Sequence, residues 1–183
     1  MPNSAQNQIL TAPEIDARIH RLAFQILEDH LRTDFLLIGI HKRGVPLARR
    51  IAKVLETERP GLPVGTLDIT LYHDDPRNVD VSAGMEASHI PGDLSGRSVI
   101  LIDDVLFTGR TIRAAIDALM DFGRPARIRL ACLVDRGHRE LPIQPDYCGL
   151  VRHTGPGEYL RVLLREADGH DGLYLVTKKD DPI

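Results

Sequence analysis

The sequence predicts an α/β fold in which a central, mostly parallel sheet is flanked by helices, and three observations lead there. Two short, continuous apolar runs, "DFLLIGI" at 34–40 and "SVILID" at 98–103, read as strands buried on both faces. Each is followed by a turn and then by apolar residues at helical spacing, so that strand, turn and helix recur as a unit. The resulting strand–helix–strand order, seen twice, favours parallel pairing and lines up the strand-to-helix turns along one edge, where ligands bind in sheets of this kind.

In chain order, "TAPEIDARIHRLAFQILEDHL" opens with Thr11 and Glu14 at capping-box spacing and Pro13 in the first turn. Ile15, Ile19, Leu22, Ala23, Ile26 and Leu27 then recur on one face, which predicts an amphipathic helix. The first buried strand runs into "HKRG", after which Pro46, Leu47, Ala48, Ile51, Val54 and Leu55 keep helical spacing. "TLDITLY" alternates Leu67, Ile69 and Leu71 and reads as a further strand. Residues 73–95 are polar, punctuated by Gly and Pro and without a period, and are expected to form a long flexible loop. "SVILID" is the next strand; a helix is expected from Thr111 to Phe122, stopped by Gly123 and Pro125, and "RIRLACLV" is another strand. Beyond Asp135, "RGHRELPIQPDYCG" reads as irregular and "EYLRVLLREADGHDGLYLV" as two strands around Asp-Gly turns.

Composition sets the class. A chain of 183 residues with 43% hydrophobic content supports one domain over 1–183. A net charge of −3 gives no overall attraction to polyanions, so any nucleic-acid surface has to be a local patch. Cys132 and Cys148 are too few for a disulfide scaffold and lack metal-ligand spacing, as expected of a cytoplasmic protein. The longest apolar run, Phe35 to Ile40, is far short of the ~20 residues of a membrane helix. The polar start has neither a basic segment nor an apolar one, so no export or membrane attachment is expected.

The segment "VILIDDVLFTGRTI", 99–112, carries the chemistry. Asp103 and Asp104 end a buried strand at the ligand edge, and the turn after them opens a helix. Free amides at a helix start, with Gly109 allowing close approach and the Thr108 and Thr111 hydroxyls nearby, suit a phosphate. Carboxylates repel phosphate but accept hydrogen bonds from a neighbouring diol, so a sugar bearing a terminal phosphate satisfies both halves. The acid pair alone is read equally well as a strand end holding a structural cation or an ion pair.

This segment closely resembles the phosphoribosyl diphosphate signature of type I phosphoribosyltransferases, and "DITLYHDD", "GRP" and "VDRGHRELPI" resemble the PyrR branch over nearly the whole chain. The resemblance implies the type I phosphoribosyltransferase fold, with a small C-terminal hood around 135–165 and the 73–95 loop as a lid. It implies that Asp103 and Asp104 hold the ribose hydroxyls, with Asp104 the best-placed base. Val105 would belong to the phosphoribosyl diphosphate site, and Leu106, Phe107, Thr108, Gly109, Arg110 and Thr111 would wrap the 5-phosphate. In "HKRG", Lys42, Arg43 and Gly44 would form the diphosphate loop, Gly44 permitting its tight bend, and Arg136 with its neighbouring backbone would receive uracil. The implied reaction converts uracil and phosphoribosyl diphosphate to UMP and diphosphate with Mg2+ as cofactor, the ion needing no ligand from protein side chains.

The same resemblance implies a second activity, uridine-nucleotide-dependent binding of the leader mRNA of pyrimidine biosynthesis genes, and a homodimer or higher homo-oligomer. Arg21, His138 and Arg139 match the branch's RNA-binding pattern, whereas His20, Phe24, Lys42, Gln144 and Leu150 depart from it, as do His73 and "HTG" at 153–155 elsewhere. Lys42, Arg49, Arg50 and Lys53 offer a compensating basic patch. Two alternatives stay open: a phosphoribosyltransferase whose RNA binding is weakened or lost, and a different nucleobase acceptor.

Overall fold

The computed structural model describes residues 7–72 and 87–177. A short strand, β1 (Gln8–Leu10), precedes the first helix, α1 (Ala12–Asp29). The helix starts where the sequence signals it, with the Thr11 amide and hydroxyl both donating to the Glu14 carboxylate at 2.8 and 2.7 Å. Its buried face is made of the six apolar residues named above, from Ile15 to Leu27. Strand β2 (Phe35–Ile40) is buried throughout, and α2 (Gly44–Val54) follows after a three-residue turn.

Strand β3 is Val64–Leu67, earlier than "TLDITLY" suggests, and a 3-10 turn replaces the strand at Thr70–Tyr72. The cause is local: the Asp68 carboxylate accepts from the Thr70 amide at 2.8 Å and from its hydroxyl at 2.5 Å, which bends the chain out of the sheet. Leu71, read as one of the alternating apolar residues of that strand, is 77% exposed. Of the expected 73–95 loop, 73–86 lies outside the described residues. Its return limb is docked on the sheet: His89 exchanges two backbone hydrogen bonds with Thr66 at 2.8 and 2.9 Å, and Leu94 is buried.

Strand β4 (Ser98–Leu106) is longer than "SVILID" and carries the acid pair within it. Helix α3 (Arg110–Met120) ends two residues before the expected Phe122, and β5 (Arg127–Asp135) follows. A further strand, β6 (Tyr147–Val151), begins within the last three residues of the segment read as irregular and pairs in parallel with β5. The main sheet has the order β3-β2-β4-β5-β6, with every pairing parallel. β7 (Glu158–Leu163) and β8 (Gly172–Thr177), joined through the single turn α4 (Arg165–Asp168), form an antiparallel hairpin to which β1 adds a third strand.

Apolar side chains cover both faces of the main sheet. One cluster joins α1 and α2 to it and reaches Leu160, Val162 and Leu173 of the small sheet; the other seats α3 on the opposite face. β2 and β4 are neighbours, yet the chain leaves them in opposite directions, to β3 and to β5. That reversal opens a crevice at their carboxyl ends. No helix among the described residues is long and apolar enough to cross a membrane.

Candidate active site

Pairing between β2 and β4 ends at Gly39 and Ile102, whereas β4 stays paired with β5 as far as Leu106 and Asp135. Asp103 and Asp104 therefore have a strand neighbour on one side only. The other side is closed by the start of α2, where Gly44 lies so close that a Cβ would overlap the Ile102 carbonyl oxygen, and a Cβ on Gly39 would overlap Gly44. Gly44 is thus required for this close approach rather than for a bend, since it is not among the glycines with positive φ. The strict alternation of β4 also slips here: Ile100, Ile102 and Val105 pack with one cluster, Val99, Leu101 and Leu106 with the other. The acids occupy the step between.

Asp103 is 7% exposed and its Oδ1 accepts the Asp104 amide at 3.0 Å. Burial, then the neighbouring Asp104, pushes its carboxyl well above the ordinary range. Asp104 is raised as well, by burial, against the pull of the Arg43 guanidinium. Asp104 thus opposes the ionisation of Asp103, whereas a hydrogen bond from Asp103 eases that of Asp104, and the two titrate as a pair.

The turn after β4 is held from outside by its carbonyls. The Leu106 oxygen accepts from the Arg136 amide at 2.9 Å, Phe107 from Arg139 Nη1 at 2.9 Å, and Thr108 from the Glu140 and Leu141 amides at 3.0 and 3.1 Å. The amides of Phe107, Thr108 and Gly109 donate to no other described residue. Gly109 caps α3 with φ of 93°, a conformation costly for other residues, and these three donors, without an acceptor among the described residues, stand at a helix N-terminus. The Arg110 amide is taken up by the Thr108 hydroxyl at 3.3 Å, and Arg110 Nε pairs with Glu140 at 2.7 Å. Val105 is half-buried within β4, and Thr111 lies in the first turn of α3.

Across the crevice, Lys42 is exposed in the turn after β2. Arg43 is held by both oxygens of Asp168 at 3.1 and 2.8 Å, and this bond with Asp168 raises its pKa. Arg50, included in the basic patch read from the sequence, does not belong to it: it is 8% exposed and bound to Glu166 and Asp171.

Arg136 closes the far side. Its guanidinium lies 3.9 Å from the Phe107 ring centroid, a cation–π contact, and donates to Thr154 Oγ1 at 2.8 Å and the Glu158 carbonyl at 2.6 Å. His138 bonds the Thr154 carbonyl at 2.8 Å, and the His153 ring covers Gly137. Arg139 donates to the carbonyls of Phe107, Gly137 and Ile143 and to Asp135. Arg21 lies away from this rim, on an exposed face of α1, with its guanidinium on the Cys148 and Gly149 carbonyls of the edge strand β6. Arg21, His138 and Arg139 thus all bind main chain.

Sequence reasoning missed Asp135, Thr154 and Asp168. Burial works against ionisation of Asp135, but Arg139 and the Gly137 amide hold its carboxyl below the ordinary range. Its place at the end of "RIRLACLVD" was the only signal; Thr154 and Asp168 bind partners 18 and 125 residues away in sequence, beyond the reach of local patterns. Among the described residues no group of three or more His, Cys, Asp or Glu side chains gathers to hold a metal ion.

A phosphoribosyl transferase domain model matches residues 5–154. A "Bifunctional protein PyrR" of Roseiflexus sp. (strain RS-1) is 53% identical over 174 residues, covering 93% of this chain and 95% of the relative. One from Thermus aquaticus is 48% identical over 174 residues, covering 94% and 96%. A hypoxanthine-guanine phosphoribosyltransferase structure from Bacillus anthracis has a TM-score of 0.70 at 15% identity over 93% of this chain and 98% of its own, a likeness of fold. The chain belongs to the phosphoribosyltransferase family, with the type I fold, and within it to the PyrR branch.

Proposed function

We propose that this chain transfers a phosphoribosyl group from phosphoribosyl diphosphate to uracil, giving UMP and diphosphate, and that uridine nucleotides in the same site govern its binding to leader mRNA. The observation that carries the first part is the turn after β4, whose carbonyls are tied outward while three amides beside the acid pair find no acceptor among the described residues. The 5-phosphate takes those amides with the Thr108 and Thr111 hydroxyls. Asp103 and Asp104 take the ribose 2- and 3-hydroxyls, and the loop of Lys42, Arg43 and Gly44 takes the diphosphate. Uracil lies by Arg136, its donor and acceptor edge turned toward neighbouring main chain.

Breaking the anomeric bond puts positive charge on the sugar and negative charge on the diphosphate. The acid pair favours the first; Lys42 and Arg43 favour the second. Asp104 is placed to accept the proton of the attacking nitrogen because its raised pKa lifts it toward the working range. Two adjacent carboxylates without a protein cage fit Mg2+ held largely by substrate oxygens and water, and the ion, when bound, neutralises diphosphate charge.

Asp104→Asn is expected to lower kcat by about 100-fold, the scale of one general base, with little change in thermal stability. Unchanged turnover would refute its role. Turnover with uracil set beside cytosine and hypoxanthine tests the acceptor; preference for another base would replace uracil in this reading.

The relatives' name, bifunctional, supports the second part. Arg21, His138 and Arg139 mark the proposed RNA surface, with Lys42, Arg49 and Lys53 adding positive charge. A gel shift with a pyrimidine leader stem-loop is expected to show tighter binding with UMP; no UMP effect at low salt would remove the regulatory part and leave the enzyme. We place the protein in the cytoplasm, as a homo-oligomer built from dimers.

A further inference from the structure

Arg43 and Arg50 lead from the crevice to a segment the proposed reaction leaves unused. Arg43 forks onto both oxygens of Asp168, and Arg50 binds Glu166 at 2.8 and 2.5 Å and Asp171 at 2.9 and 2.7 Å. All three acids lie in α4 and the turn after it, so the link between β7 and β8 is fastened to the first two turns of α2. Asp168 is oriented before Arg43 reaches it: its Oδ2 accepts the Leu164 amide at 2.8 Å, and its side chain is 17% exposed. Arg43 also feels a second carboxylate, Asp104. For a guanidinium released from Asp168, Asp104 is the other carboxylate within electrostatic reach.

We propose that Asp168 is a positioning residue, whose fork on Arg43 keeps that guanidinium aimed at the diphosphate and off Asp104, so that the acid pair stays open to the ribose. This rests on the reading of Lys42 to Gly44 as the diphosphate loop. The charge opposing an anionic ligand at Asp168 is already spent on Arg43, while Arg43 Nη1 has no partner among the described residues and is left to offer.

Calorimetric titration with phosphoribosyl diphosphate and initial rates separate the two ideas, using the wild type, Asp168→Asn and Glu166→Gln. Asp168→Asn is expected to raise Kd and KM for phosphoribosyl diphosphate about 10-fold, the scale of one lost charge-assisted bond, with KM for uracil nearly unchanged. Glu166→Gln, which loosens the same clamp without touching Arg43, is expected to lower Tm and leave both constants alone. Should Asp168→Asn fail to fold, Asp168→Glu keeps the charge but displaces the fork, and the same constants are expected to rise less. A wild type that binds while the folded Asp168 variant binds equally well overturns this inference alone, as do equal rises in the Glu166 and Asp168 variants. A wild type that binds no phosphoribosyl diphosphate overturns the reading of the site, and this inference with it.

Discussion

At Asp103, folding and chemistry pull in opposite directions. Its carboxyl is buried beside Asp104 and its pKa is raised, so above about pH 4 the unfolded chain gives up a proton that the folded chain retains, and stability falls as pH rises toward the folded value. Asp103→Asn keeps an oxygen for the Asp104 amide and removes the titration. In urea unfolding it is expected to be more stable than the wild type at pH 7, with the difference closing below about pH 4; a variant less stable at pH 7 would contradict this. Gly44→Ala puts a methyl group into the Ile102 carbonyl oxygen and is expected to cost about 2 kcal/mol or more, read as a drop in Tm, with loss of phosphoribosyl diphosphate binding. The sequence showed the acids and both glycines, because residue identity is local. It could not show why Gly44 is needed, since the oxygen it meets lies 58 positions onward, in strand β4.

Among the elements, those with a strong period of their own were legible: α1 by its cap and stripe, β2 and β4 by unbroken apolar runs. β6 was missed because its five residues gain their strand character from Cys132 and Val134 of β5, opposite Cys148 and Leu150. β1 was missed because its partner, β8, is at the far end of the chain. The α4 segment read as turn residues, and only the fold reveals that its acids hold α2. There the titration has the opposite sign to Asp103. Arg50 holds Glu166 and Asp171, and Arg43 holds Asp168, below the ordinary carboxylate range, so this stability is present above about pH 4 and is lost as pH falls through the folded values. Arg50→Met leaves Asp171 buried without its partner and is expected to cost about 3 kcal/mol at pH 7. The penalty should shrink on acidification, when the carboxylates protonate; a penalty independent of pH would show that Arg50 acts by packing alone.

For the whole molecule, the reversal of chain direction between β2 and β4 sets the loops after both strands on one crevice, and the small sheet closes on it through α4 and Arg136. The alternation of strand and helix made the main sheet legible, and β7 and β8 of the small sheet were read as two strands around a turn; only its third strand, β1, contributed from the other end of the chain, was not. The weak net charge of −3 gives RNA binding no help from bulk charge. Binding to leader RNA is therefore expected to show a shallow dependence on salt, set by a few phosphate contacts at about 0.7 per contact on logarithmic axes. A steep slope would point to a larger basic surface than Arg21, His138 and Arg139 mark. The most direct measurement is a crystal structure with UMP. The ribose hydroxyls should lie on Asp103 and Asp104 and the phosphate on the amides of Phe107, Thr108 and Gly109; a nucleotide seated elsewhere, with this rim empty, would contradict the central claim.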